Sequence, residues 1–193
     1  DITEVGTGGG SIAHVDAQGT LHVGPRSAGS DPGPVCFGRG GSEPTVTDAN
    51  LALDRIASGA FLAGAMRLDR DRARSAIDRH VGQPLGYNDA IDEVAQGILD
   101  LANVQMADAI RQITVERGRD ARDFQLFAFG GGGPMHALSL ARELHIARVI
   151  IPPNPGNFSA LGMLFADARI EEARTVLLAL AAENLPALQA QRE

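Results

Sequence analysis

Four consecutive glycines, Gly130, Gly131, Gly132 and Gly133, followed at once by Pro134, are the residues of this chain best suited to hold a small ligand. An apolar run, Phe124 to Phe129, reads as a buried strand ahead of them, and a helical segment runs from Pro134 to about His145. Glycine lets backbone approach a ligand closely, and the unpaired N–H groups of a helix start attract anions. Pro134 suits the first helical turn, where its missing N–H is harmless. The plain alternative is a tight turn that needs a positive φ at one or two positions; four glycines exceed that need. The arrangement predicts a loop held against a nucleotide, at its phosphates or its adenosine.

A second glycine stretch, Gly6-Thr7-Gly8-Gly9-Gly10-Ser11, nearly spells the dinucleotide fingerprint. That fingerprint requires a helix directly after it, whereas Ile12 to Val15 alternates like a strand. Two readings stay open: a backbone nest facing phosphate or substrate, with Ser11 as a donor, or a glycine bulge entering a hairpin. Arg26 could clamp an anion, and Asp48 could act as a base or hold a metal-bound water. On spacing alone, Asp48 or Asn50 as a helix cap and Arg26 as a loop tie explain the same residues. His136 stands in the first turn after the four glycines and joins the candidate cleft with Gly8, Gly9, Gly10, Ser11, Arg26 and Asn50.

The five histidines show no metal-ligand spacing, so no metal site is expected. With a two- or four-residue hairpin turn, His14 and His22 would point to opposite faces of the sheet. Cys36, Ser27 and Ser159 lack a nucleophile-elbow pattern, which argues against covalent catalysis. All 17 basic residues are arginine. Without a lysine this segment holds neither a P-loop nor a Schiff-base site.

The 193 residues, 44% hydrophobic, suffice for one domain or one lobe of a larger one. A net charge of −7 without a concentrated basic surface speaks against nucleic acid as a partner. No run of about 18 apolar residues is present to span a membrane. A single cysteine fits a reducing compartment, so the expected location is cytoplasmic.

The elements that must position these residues read as follows. A hairpin over residues 1–24 turns through Asp16-Ala17-Gln18-Gly19, and an ordered irregular loop runs from Gly24 to Pro44. Short helices are expected over Asn50–Ile56 and Asp69–Val81. A long helix capped by Asn88 carries Ile91, Val94, Ile98, Ala102, Met106, Ala109 and Ile113 on one stripe, ends near Gly118, and would be roughly 45 Å long. Strand, glycine loop, helix and a second strand at Arg148–Ile151 make a β–loop–α–β unit with parallel strands. Phe158–Ala166 reads as a short helix. Val176–Leu180 and Leu185–Leu188 read as helical. The fold class is therefore α/β, with a lobe over 1–166 and a segment leading out of it over 167–193.

Several motifs, taken in order, resemble those of a known family. They are Val5 to Ala13, Gly24-Pro25-Arg26-Ser27-Ala28-Gly29, Asp31-Pro32-Gly33-Pro34, Gly38-Arg39-Gly40-Gly41, Glu43 to Asn50, Phe129 to Ala137, and Phe158 to Gly162. Together they resemble the hydantoinase A/5-oxoprolinase family, which includes the A subunit of N-methylhydantoinase and the acetone and acetophenone carboxylase subunits. The resemblance implies an actin-like, sugar-kinase and chaperone-type ATPase lobe that uses ATP and Mg²⁺. Such enzymes activate a carbonyl or enol oxygen as a phosphate, and so hydrolyse a cyclic amide or carboxylate a ketone. By resemblance Gly130–Gly133 lies on the adenosine side, and Gly8–Ser11 and the loop through Asp48 line the same cleft. It also implies a B-type partner subunit and phosphate motifs upstream of residue 1, so that this piece alone is expected to be inert. Two other readings follow from it: a nucleotide-binding assembly lobe that docks the B-type subunit, or a subunit of an ATP-dependent ketone carboxylase.

Overall fold

The computed structural model describes residues 4–59 and 61–167, together with Thr175 and Asn184. The helices expected at Val176–Leu180 and Leu185–Leu188 lie outside the described residues. Residues 1–160 form one compact unit and 161–193 a second; the following description concerns the first.

The chain opens with an antiparallel hairpin, β1 (Ser11–Val15) and β2 (Leu21–Ser27). Val15 pairs with Leu21, so the turn has five residues, Asp16–Thr20. Asp16 builds it: Oδ1 accepts from the backbone N–H groups of Gln18 and Thr20, both at 2.9 Å. Gly19 supplies the left-handed position at φ 78°. An odd turn length puts His14 directly opposite His22 on one face, which corrects the expectation of opposite faces. The register shifts between Ser11 and Ala13, so a bulge does sit where the glycine stretch enters the strand.

The segment after β2 is irregular but laced down. Ala13 N–H donates to Pro44 O, Gly33 N–H to Ala28 O, and Asp69 N–H to Cys36 O. Helix α1 (Val46–Ala52) starts earlier than the expected Asn50, because Thr45 and Asp48 form a reciprocal capping box. Helix α2 (Arg70–Ile77) begins at the side-chain cap of Asp69 and continues as a π-turn, Asp78–Gly82, and a short helix α3 (Gln83–Leu85).

Helix α4 (Ile91–Glu116) has 26 residues, roughly 39 Å at 1.5 Å per residue. Its N-cap is Ala90, which offers no side-chain cap, so Asn88 does not fill the capping position assigned to it. At the other end Gly118 (φ 63°) closes a Schellman motif: Gly118 N–H donates to Val115 O and Arg119 N–H to Thr114 O. One stripe of α4 (Val94, Ala95, Ile98, Leu99, Ala102) packs with Ala13 and Val23 of the hairpin, Val46 and Ala49 of α1, and Ile77 of α2. Each fully buried Ile or Leu there contributes about 1.5–3 kcal/mol.

Beyond Ala102 the buried stripe rotates. Ala107 and Ile110 pack instead on the α/β unit made of β3 (Leu126–Phe127), α5 (Gly133–Glu143) and β4 (Val149–Ile150). β3 and β4 are parallel, as a crossover through a helix requires. Leu140 and Ala141 of α5, with Leu144 just past its end, pack with Leu126 and Val149. The helix α6 (Phe158–Phe165) follows β4 after a turn at Pro155–Asn157.

Candidate functional site

The glycine loop lies at the carboxyl end of β3, where parallel α/β units expose backbone to ligands. Gly130 N–H donates to Pro155 O at 2.8 Å, which joins the loop to the turn after β4. Gly132 is the N-cap of α5 and Pro134 falls in its first turn. Only Gly130 has a left-handed backbone, at φ 82°. A Cβ added at Gly130, Gly131, Gly132 or Gly133 would meet nothing within 4 Å. Neither backbone conformation nor packing therefore demands glycine at 131, 132 and 133, and their missing side chains leave open space over the first turn of α5. In that turn Pro134 carries no N–H and Met135 N–H donates to Gly132 O at 3.0 Å, so Gly133 is the residue whose N–H meets no carbonyl of its own helix.

Beneath the loop, His136 is 4% exposed and its Nδ1 lies 2.8 Å from Asn103 Oδ1 of α4, itself buried. Burial, and secondarily the positive charge of Arg55, lower the pKa of His136. Arg55 is held by Gln96 Oε1 at 2.7 Å. His136 is thus a neutral buried imidazole under the loop, unsuited to binding phosphate by charge. Asn103 and Arg55 went unnoticed in the sequence. The one signal for Asn103 is an amide set beside the apolar stripe of a long helix, between Leu99 and Ala107.

The other candidates are built into the scaffold. Asp48 is fully buried, and its carboxylate accepts from the N–H groups of Val35 (3.2 Å), Cys36 (2.8 Å) and Thr45 (2.8 Å) and from Thr45 Oγ1 (2.8 Å). A carboxylate so enclosed caps α1 and pins the irregular loop, the helix-cap role that the sequence held open beside that of a base. Asn50 is 1% exposed and its Nδ2 donates to Val46 O, so it faces the core and not a cleft. Arg26 forms a two-point ion pair with Glu43 at 2.8 and 3.1 Å, which holds the Glu43 carboxyl below its usual range. That pair borders a hollow of about 520 Å³ with Ser27, Asp31 and Gly41. Burial foremost, then the charge of Asp48, push the Cys36 thiol far up, so it is a poor nucleophile.

Gly8–Ser11 is also tied inward. Gly8 N–H donates to Ser11 Oγ, Ser11 N–H to Gly8 O, and both the N–H and the hydroxyl of Thr47 donate to Gly9 O. A Cβ at Gly9 would come within 2.9 Å of Thr47 Oγ1, and one at Gly10 within 2.7 Å of Ser27 Oγ. Packing thus accounts for these two glycines. Thr7 reaches α4 at Gln105 (2.8 Å), two residues from Asn103, or roughly 200° around the helix. Thr7 and His136 thus meet α4 on different flanks, and the case for a ligand rests on Gly130–Pro134.

Comparison with known proteins places this architecture. The chain is 46% identical to caprolactamase subunit alpha of Pseudomonas jessenii over 179 residues, which is 93% of the chain and 25% of that protein. A crystal structure of the ATP-dependent caprolactamase from the same organism superposes with a TM-score of 0.75 at 49% identity, covering 83% of the chain and 23% of the other. The nucleotide-free structure of an acetone carboxylase superposes with a TM-score of 0.74 at 31% identity, covering 81% and 22%. The chain thus spans about a quarter of the length of these relatives, and their α/β fold is its fold. A model of the hydantoinase/oxoprolinase family matches residues 1–172, and the chain belongs to that family.

Proposed function

We propose that this chain is the nucleotide-side part of an ATP-dependent hydrolase acting on cyclic amides, with Gly130–Gly133 and Pro134 as its nucleotide loop. The observation that carries the reading is the open space above three glycines that neither φ nor packing requires. The ATP dependence of the caprolactamase and acetone carboxylase relatives supports ATP as the nucleotide. When bound, ATP would supply a phosphoryl group that converts an unreactive amide oxygen into a leaving group. The residues of this chain bind and orient: the glycine backbone lets the nucleotide approach, Gly133 at the α5 start offers an N–H donor, and Asn103 fixes His136 beneath. In this reading Mg²⁺ would come with the nucleotide, held by its phosphates and one or two carboxylates. No described helix is long and apolar enough to cross a membrane. A cytoplasmic enzyme with a B-type partner subunit completes the proposal.

Calorimetry with ATP–Mg²⁺ on the full-length protein tests it. Gly131→Val and Gly132→Val should weaken binding at least tenfold while leaving thermal stability nearly unchanged. Unaltered affinity in both variants would remove the glycine loop from the nucleotide site.

A second reading, a lobe whose role is assembly, has its own observation. Phe127, Phe129 and Ile150 are exposed on the face of the β3–β4 pair away from α5, and the rings of Phe127, Phe129 and Phe158 cluster 5.2–6.1 Å apart. Parallel sheets are normally covered on both faces. Loss of subunit association in Phe129→Ser, with ATP affinity retained, would favour this reading.

A further inference from the structure

We propose that Arg55 is the residue of this chain that reads the phosphates of the nucleotide held at Gly130–Pro134. The inference deepens the proposed function and rests on it. Arg55 lies just past the end of α1: Asp54 takes a left-handed backbone at φ 56°, and Arg55 N–H donates to Asn50 O at 2.9 Å. The side chain meets α4, where Nη2 donates to Gln96 Oε1 at 2.7 Å. Gln96 is fixed in its turn, because its Nε2 donates to Asp100 Oδ1 at 2.7 Å. Arg55 is therefore exposed yet held in one place, so less side-chain freedom is lost when an anion arrives.

Its place on α4 points to the glycine loop. Gln96 and Asn103 are seven residues apart, hence within roughly 20° of each other around the helix and about 10 Å apart along it. Asn103 holds His136 in the first turn of α5. One edge of α4 thus carries Arg55 at one point and the helix of the glycine loop at another, separated by a stretch that the extended tail of a nucleoside triphosphate can span. The electrostatics agree: after burial, the charge of Arg55 is the second influence that lowers the pKa of His136.

The group that holds Arg55 is a neutral amide, so it does not cancel the charge, and the adjacent Asp54 is already paired with Arg70 at 2.8 Å. Arg26, by contrast, is engaged at two points by Glu43. The loop itself offers open backbone, one N–H donor and a neutral imidazole, none of which balances the negative charge of a triphosphate. Arg55 supplies the cation, and its planar guanidinium can present two parallel N–H donors to phosphate oxygens. Beside Gln96 the surface of α4 is also kept bare. Gly97 costs a helix interior about 1 kcal/mol relative to alanine, yet a Cβ there would meet nothing within 4 Å. Neither packing nor a positive φ asks for glycine at 97, as at Gly131–Gly133.

Calorimetry on the full-length protein, with ATP–Mg²⁺ and with adenosine, is the test. Arg55→Gln should weaken ATP binding by about tenfold or more and leave adenosine affinity unchanged. Arg55→Lys keeps the charge without the planar fork and should recover part of that loss. Gln96→Glu gives the guanidinium a carboxylate partner and should weaken ATP as well, although it removes no contact to the nucleotide. Arg122→Gln removes the same charge from an arginine paired with Asp120 and should change neither affinity. Parent-like ATP affinity in Arg55→Gln, or an equal loss of ATP and adenosine, overturns the inference. Gly131→Val separates the two claims: if it weakens both ligands while Arg55→Gln weakens neither, the glycine loop stands and only the role of Arg55 falls.

Discussion

Asn103 Oδ1 lies 2.8 Å from His136 Nδ1, so the buried middle of α4 is hydrogen-bonded to the first turn of α5. An amide oxygen accepts, which assigns the proton to Nδ1 and the lone pair to Nε2. The bond joins the part of α4 that packs on the hairpin and α1 to the unit that carries the glycine loop. Both partners are buried, so each depends on the other for satisfaction.

Replacing Asn103 by Leu should therefore destabilise the fold by about 1–3 kcal/mol, the cost of an orphaned buried N–H. Urea unfolding gives the number. ATP affinity should fall as well, since the turn under Gly130–Gly133 loses its anchor. A stable Asn103→Leu protein would show that packing alone places α5.

Much of this arrangement was legible in the residues. The strand–glycine–helix–strand unit follows from one apolar run, four glycines and Pro134, and its strands are parallel as the crossover demands. The hairpin was readable too, but its turn was not: only the register shows that Thr20 belongs to the turn, and one residue reverses the relation of His14 to His22. The roles of Asp48, Asn50 and Arg26 were ambiguous for a physical reason. A carboxylate that caps a helix and one that takes a proton look alike in sequence, and burial with its donor set separates them. Asn103 was hidden because its partner is 33 residues away.

Asp48→Ala is the sharpest check of that assignment. It leaves the N–H groups of Val35, Cys36 and Thr45 buried without their acceptor and abolishes the capping box. The expected loss is roughly 3–5 kcal/mol, close to that of breaking a buried charged network. A thermal melt would show it. An intact melting temperature with a collapsed turnover number would restore Asp48 as a base.

The glycines of the loop should separate in the same assay. Gly130 sits at φ 82°, so Gly130→Ala should cost about 1–2 kcal/mol. At Gly131 no positive φ and no neighbour oppose a methyl group. Gly131→Ala should be neutral or up to about 1 kcal/mol stabilising, through a less flexible unfolded chain. Equal penalties at both positions would mean that the loop is closed by packing and not open to a ligand.

The pH dependence of stability should carry the signature of His136. Burial first, and the charge of Arg55 second, hold its pKa in the folded chain below the usual value of about 6.5. Above that value the imidazole is neutral in both states and contributes no slope. As the pH falls through about 6.5 the unfolded chain takes up a proton that the folded chain refuses, so stability declines until the folded pKa is reached and then levels off. His136→Gln removes the group, and unfolding free energies at several pH values between 7.5 and 5 should show the parent losing stability faster than the variant. Arg55→Gln should shrink the difference, because it removes only the lesser cause. Parallel curves for the parent and His136→Gln would mean that this imidazole is not a buried neutral group, and the acceptor assigned to its Nε2 would go with it.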